Sequence, residues 1–155
     1  MKPTILYGST ALVLAVFSLL TVTGAAADRV YHTDQIPLVP VADAPLKSGH
    51  VINIHPNGPQ VFARERYVLI GAESNAVYQV NLLLYPNEPE CDGEAVVIPT
   101  AEIETNGVGN GTDQVVIPPA DIGDLHDATH GVAWEVTLEG EAVYEAAFCS
   151  AVTLD

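Results

Sequence analysis

Basic side chains are scarce in this chain of 155 residues. Five lysines and arginines stand against 20 aspartates and glutamates, a formal net charge of −15. Such a surface repels phosphate backbones, which argues against nucleic acid as a partner, and it disfavours anionic membranes. It is compatible with cations, basic partners, neutral glycans or plain solubility. Little lysine with abundant acid is also the composition of salt-adapted proteins. Aromatic residues are few (6%), and Trp134 and Tyr144 fall on apolar faces at strand period, so core packing accounts for them better than a sugar-stacking platform. Only two cysteines occur. They lack C-x-x-C spacing and neither has a histidine beside it, which argues against a redox or thiolate–metal site. There is no Gly-x-Ser-x-Gly elbow, no His-Glu-x-x-His and no glycine-rich phosphate loop after a strand. With no catalytic constellation to name, the chain is not read as an enzyme, and no cofactor is expected.

Long apolar runs are missing too, except one. Ala11 to Val22 is apolar apart from Ser18 and Thr21, follows Met1-Lys2 and precedes Gly24-Ala25-Ala26-Ala27. This reads as a secretory signal peptide over 1–27, with small residues at −3 and −1 for a cut after Ala27 (or after Ala26). The run is shorter than the roughly 20 apolar residues of a spanning helix, so an uncleaved anchor is the weaker reading. Asp28, not a lipid-bearing cysteine, opens the expected mature chain. No second apolar stretch suggests a membrane anchor. Residues 28–155 would then carry four basic side chains against 20 acidic ones, a net of −16. The expectation is a secreted or periplasmic, soluble protein without membrane insertion after cleavage. In an oxidising compartment two cysteines pair, which predicts a Cys91–Cys149 disulfide closing a loop of about 60 residues and contributing on the order of 4 kcal/mol by chain entropy.

Past the leader no segment keeps a helical period. Residues 28–47, with Pro37, Pro40 and Pro45, are excluded from helix and read as an extended segment, an edge strand or a linker. The domain proper is expected over 48–155. Ser48–His55 reads as a strand ending at the Pro56-Asn57-Gly58-Pro59 turn cluster, and Gln60–Ala72 as one strand or two. Val77–Tyr85 alternates, with Tyr78, Val80, Leu82 and Leu84 on one face, the mark of a half-buried strand. Short strands follow at Ala95–Ile98 and Gln114–Ile117, separated by a glycine-rich loop over Thr105–Asp113. His130–Leu138 puts Val132, Trp134, Val136 and Leu138 on one face. After the Glu139-Gly140 turn, Glu141–Leu154 reads as one strand with Ala142, Tyr144, Ala146, Phe148, Val152 and Leu154 inward and Cys149 opposite. The fold class is therefore all-β: an antiparallel β-sandwich of about seven strands, immunoglobulin-like in architecture, with a jelly-roll or small β-barrel as alternatives. The order Cys91–Trp134–Cys149 mimics the antibody pattern, but 43 residues between Cys91 and Trp134 do not. The bridge is expected to tie a loop to the outside of the last strand and not to cross the core.

The candidate ligand residues lie in loops. His126 and His130, spaced i and i+4, would share a face on a helical turn, and with Asp121 and Asp124 they form a candidate Zn²⁺ or Cu²⁺ site. Glu102, Glu104, Asn106, Asn110 and Asp113 offer oxygens for Ca²⁺ without the EF-hand spacing. His50 and His55 fall on opposite faces of one strand. Asn110-Gly111-Thr112 is an N-glycosylation sequon. Taken together, the chain is expected to be a binding, adhesion or structural module for an extracellular or periplasmic protein or glycan. Recognition would lie in loops 86–93, 104–113 and 121–130. The alternative is an extracytoplasmic metal-binding protein using His126 and His130.

Overall fold

A computed structural model describes residues 29–41, 43–57, 63–121 and 129–153. The signal peptide expected over 1–27 lies outside the described residues. Among the described residues there are nine strands and one short 3-10 turn: β1 (Arg29–Pro40), β2 (Ser48–Asn57), β3 (Ala63–Ile70), β4 (Val77–Tyr85), β5 (Val96–Glu104), β6 (Gly111–Ile117), the turn (Pro119–Asp121), β7 (Thr129–Leu138), β8 (Glu141–Ala146) and β9 (Ser150–Thr153). Every pairing is antiparallel. The all-β expectation holds, with nine strands where about seven were expected.

Hydrogen bonding links the strands in the order β5-β4-β7-β8-β1-β2-β3-β6, and β9 extends β8 alongside β7. The path folds into two layers. β1 pairs with β2 from Arg29 to Pro37 and with β8 from Leu38 to Pro40, so it passes from the first sheet (β1-β2-β3-β6) to the second (β5-β4-β7-β8). A strand that switches sheets makes a corner. The proline-rich segment is thus no edge strand: its prolines stand around the crossing, and Pro37 still lends its carbonyl to Ala147 N at 2.8 Å. β5 and β6 run side by side at the opposite corner without sharing a ladder. The result is a sandwich nearly closed into a barrel, which agrees with the sandwich and small-barrel readings.

Strand period decides what is inside. β4 buries Tyr78, Val80, Leu82 and Leu84, and β7 buries Val132, Trp134 and Val136, as the alternation predicts. The first sheet contributes Ile36, Val51, Tyr67 and Leu69. Several strands depart from expectation, among them β6, which begins at Gly111 inside the expected Thr105–Asp113 loop. β5 extends to Glu104 instead of stopping at Ile98, because this edge strand absorbs Pro99 at a bulge: Val80 faces Ala101 and Asn81 faces Pro99, leaving Thr100 as the extra residue. The last strand is broken at Ala147–Cys149 into β8 and β9. Ala147 turns its amide to β1 and Cys149 is drawn toward Cys91, so Phe148, expected inward, is 50% exposed. Ala142, also expected inward, is exposed.

The Cys91–Cys149 disulfide forms, with Cα atoms 6.0 Å apart. It lies outside the core and ties the 86–93 loop to the β8–β9 break, as strand alternation predicts. Gly131 lets this loop approach: a Cβ there would sit 2.8 Å from Cys91 Sγ. A disulfide fits an oxidising compartment. Among the described residues no helix is long and apolar enough to cross a membrane.

Candidate functional site

Charge is sorted by strand parity on the first sheet. Its strands carry three acidic residues whose side chains are described, Asp34, Glu65 and Asp113, and each shares the inward parity of its strand. Arg64 and Arg66 have the opposite parity and stand exposed on the outer face. Their cross-strand neighbours are uncharged: Arg64 lies between Ile54 and Val116, and Arg66 between Ile52 and Gln114. His50, Val68, Ile70, Thr112, Thr33 and Gln35 complete that face. Among the described residues it holds no carboxylate, on a chain with 20. A groove of about 450 Å³ runs along it, lined by Ile52, Ile54, Arg64, Arg66, Gln114 and Val116 together with Glu65 and Val115, whose parity is inward and of which Glu65 is 2% exposed. Ile52 and Ile54 are only half-buried and Val116 is 54% exposed. The groove therefore offers apolar contact beside two exposed guanidinium groups, which can bond carboxylates in a planar, two-point fashion.

Beneath this face lies a buried polar cluster. Glu65 is 2% exposed. It accepts a hydrogen bond from the Tyr67 hydroxyl and one from Trp134 Nε1 at 3.0 Å. Tyr67 Oη is also 2.8 Å from Thr100 Oγ1, the side chain re-aimed by the β5 bulge. These bonds join the first sheet to the second through its core. Burial pushes the Glu65 carboxyl up to about 7, with the two hydrogen bonds pulling the other way. Burial and the neighbouring Glu65 also raise the Tyr67 hydroxyl. Next to Glu65 in the ladder, Asn53 is buried, and its Nδ2 is 2.8 Å from Nε2 of the buried His55. His50, on the other face, is half-buried, so the two histidines do divide between faces.

The loop residues singled out from sequence are distributed differently. His130 stands on β7 and not on a helical turn. It is 1% exposed, and its Nδ1 accepts from Asn87 N at 3.0 Å, which helps seat the 86–93 loop. His126 and Asp124 lie outside the described residues, and Asp121 is exposed at the end of the 3-10 turn. Glu102 and Glu104 lie exposed on strand β5, while Asp113 lies on β6. Asn106 Oδ1 accepts from Val108 N and Asn110 N, each at 3.0 Å, and Asn110 Oδ1 accepts from Gly71 N at 3.0 Å, so both amide oxygens hold the turn itself. Among the described residues no group of three or more His, Cys, Asp or Glu is gathered as a metal site would require.

Neither the arginine face nor the Glu65 cluster is marked by a motif. The available signal was parity in Ala63-Arg64-Glu65-Arg66-Tyr67, which puts the acid on the same side as Tyr67 and both arginines on the other. Compared with protein-family models, curated proteins and solved structures, the chain matches none.

Proposed function

We propose that this protein is an exported binding or structural module whose recognition surface is the outer face of the first sheet. The observation that carries this reading is the charge sorting on β1, β2, β3 and β6. In a chain of net charge −15, a face with two arginines, no described carboxylate and exposed apolar side chains is suited to an acidic, partly apolar partner. Export rests on the 1–27 leader and is supported by the disulfide. A rigid sheet favours this role, because the ladders to β2 and β6 fix the backbone positions of Arg64 and Arg66 before binding.

The test is a titration of the isotope-labelled purified protein with an acidic–apolar peptide of alternating glutamate and valine, followed by amide chemical shifts. Shifts confined to Ile52, Ile54, Arg64, Arg66, Gln114 and Val116 are expected, and R64E/R66E should abolish them. Shifts confined to the 86–93 and 105–110 loops, or none at all, would reject the face as the recognition surface.

A further inference from the structure

The partner that this face fits is a second copy of the chain. This inference rests on the first-sheet face being the recognition surface, and it adds the occupant. The second sheet's outer face has the complementary character. Glu102 and Glu104 project from β5 next to Gln79 and Val77 of β4, and Glu135 of β7 lies directly opposite Glu145 of β8. Like charges directly opposite across an antiparallel ladder destabilise a sheet. Asn81 Nδ2 reaches Glu135 Oε1 at 3.3 Å, which gives that pair one donor and no positive charge. Among the described residues the outer sides of β4, β5, β7 and β8 carry no lysine or arginine.

The two faces match in spacing as well as sign. Arg64 and Arg66 are separated by two residues on β3, and Glu102 and Glu104 by two residues on β5, so each pair repeats at about 6.7 Å. Setting β3 over β5 places β2, with Ile52 and Ile54, over β4, whose outward side chains include Val77 and Leu83. We propose that the first-sheet face of one copy docks on the second-sheet face of the next. The two surfaces are different patches of one molecule, so the contact is head-to-tail and leaves a free face at each end. It builds an open row of copies and does not close at a dimer. Three overlapping strands of about eight residues (β1, β2 and β3 over β7, β4 and β5) give a footprint of roughly 400 Å² per copy, below the ~800 Å² of a standard interface. Association is therefore weak and depends on concentration.

Sedimentation velocity on the purified protein tests this at about 0.15 M ionic strength, where charge repulsion between copies is screened beyond about 8 Å, and from about 10 μM to about 1 mM, the affinity range of a small interface. The expected result is a series of species that grows past the dimer with concentration. R64E/R66E and E102K/E104K should each be monomeric throughout. The combined R64E/R66E/E102K/E104K chain, with both faces reversed, should associate again. All four positions are exposed, and circular dichroism confirms that each variant is folded. A wild-type protein that stays monomeric at the highest concentration, a series that stops at a dimer, or association that survives R64E/R66E would overturn the proposal. If the acidic peptide still binds the arginine face of a monomeric protein, only the choice of partner fails; if neither peptide nor copy binds, the recognition surface fails with it.

Discussion

Glu65 shows how one residue couples the two sheets to pH. Its carboxyl is raised from 4.5 to about 7 by burial, so the folded protein holds this proton more tightly than the unfolded chain does. The protonated form is favoured by folding. The associated stabilisation is complete below the unfolded value and is lost as pH rises through about 7. The gap corresponds to about 3 kcal/mol as an order of magnitude. Urea midpoints should therefore fall between pH 5 and pH 8. E65Q, which keeps an acceptor for Trp134 and Tyr67 without a titrating proton, should flatten that slope. An unchanged slope in E65Q would locate the pH dependence elsewhere. In sequence, Gln60–Ala72 reads as strand with no face assigned to Glu65. That an acid can occupy this inward position depends on Tyr67, Trp134 and Thr100 arriving from β3, β7 and β5, and no local pattern encodes that meeting.

Single elements were legible where period alone decides burial. β4 and β7 present the side chains their alternation predicts, since each strand has one face on the core and one on solvent. Elements whose course depends on a distant strand were not. β1 reads as an extended proline-rich segment, yet its place between β2 and β8 comes from pairings formed far along the chain. The β8–β9 break has no turn signal; it follows from the amide that Ala147 gives to Pro37 and from the pull of the disulfide. That disulfide anchors the 86–93 loop together with the Asn87 N–His130 Nδ1 bond. Replacing both cysteines with alanine should cost on the order of 4 kcal/mol in urea unfolding if the chain-entropy account holds. Mass spectrometry before and after reduction should show one bridge. Gly131→Ala should weaken the same region, because a methyl group there meets the Cys91 turn; amide hydrogen exchange in residues 86–93 would rise, and protection equal to wild type would refute the close approach.

At the scale of the whole molecule, composition is acidic but charge is not evenly spread. The first sheet turns its acids inward and its arginines outward, while the second sheet keeps Glu102, Glu104, Glu135 and Glu145 on its outer face. The proposed head-to-tail row and the reading of the first sheet as a recognition surface both follow from that asymmetry. Net charge, which the sequence states outright, points the other way, toward copies that repel. Which effect operates at contact depends on local distances of a few ångströms, where charges on facing sheets are screened less than the net charge is.

The sequence by itself determined the all-β class, the inward faces of β4 and β7, and the position of the disulfide outside the core. Each of these rests on a period of two or on the chemistry of one residue type. Only the tertiary structure decided that β1 joins two sheets, that Glu65 has partners in the core, and that Arg64 and Arg66 share a face with Ile52, Ile54 and Val116 that is free of carboxylates among the described residues. Those facts concern which strands lie side by side. Strand order is set by packing among segments remote in the chain, and the alternation within any one strand is the same whichever neighbours it has.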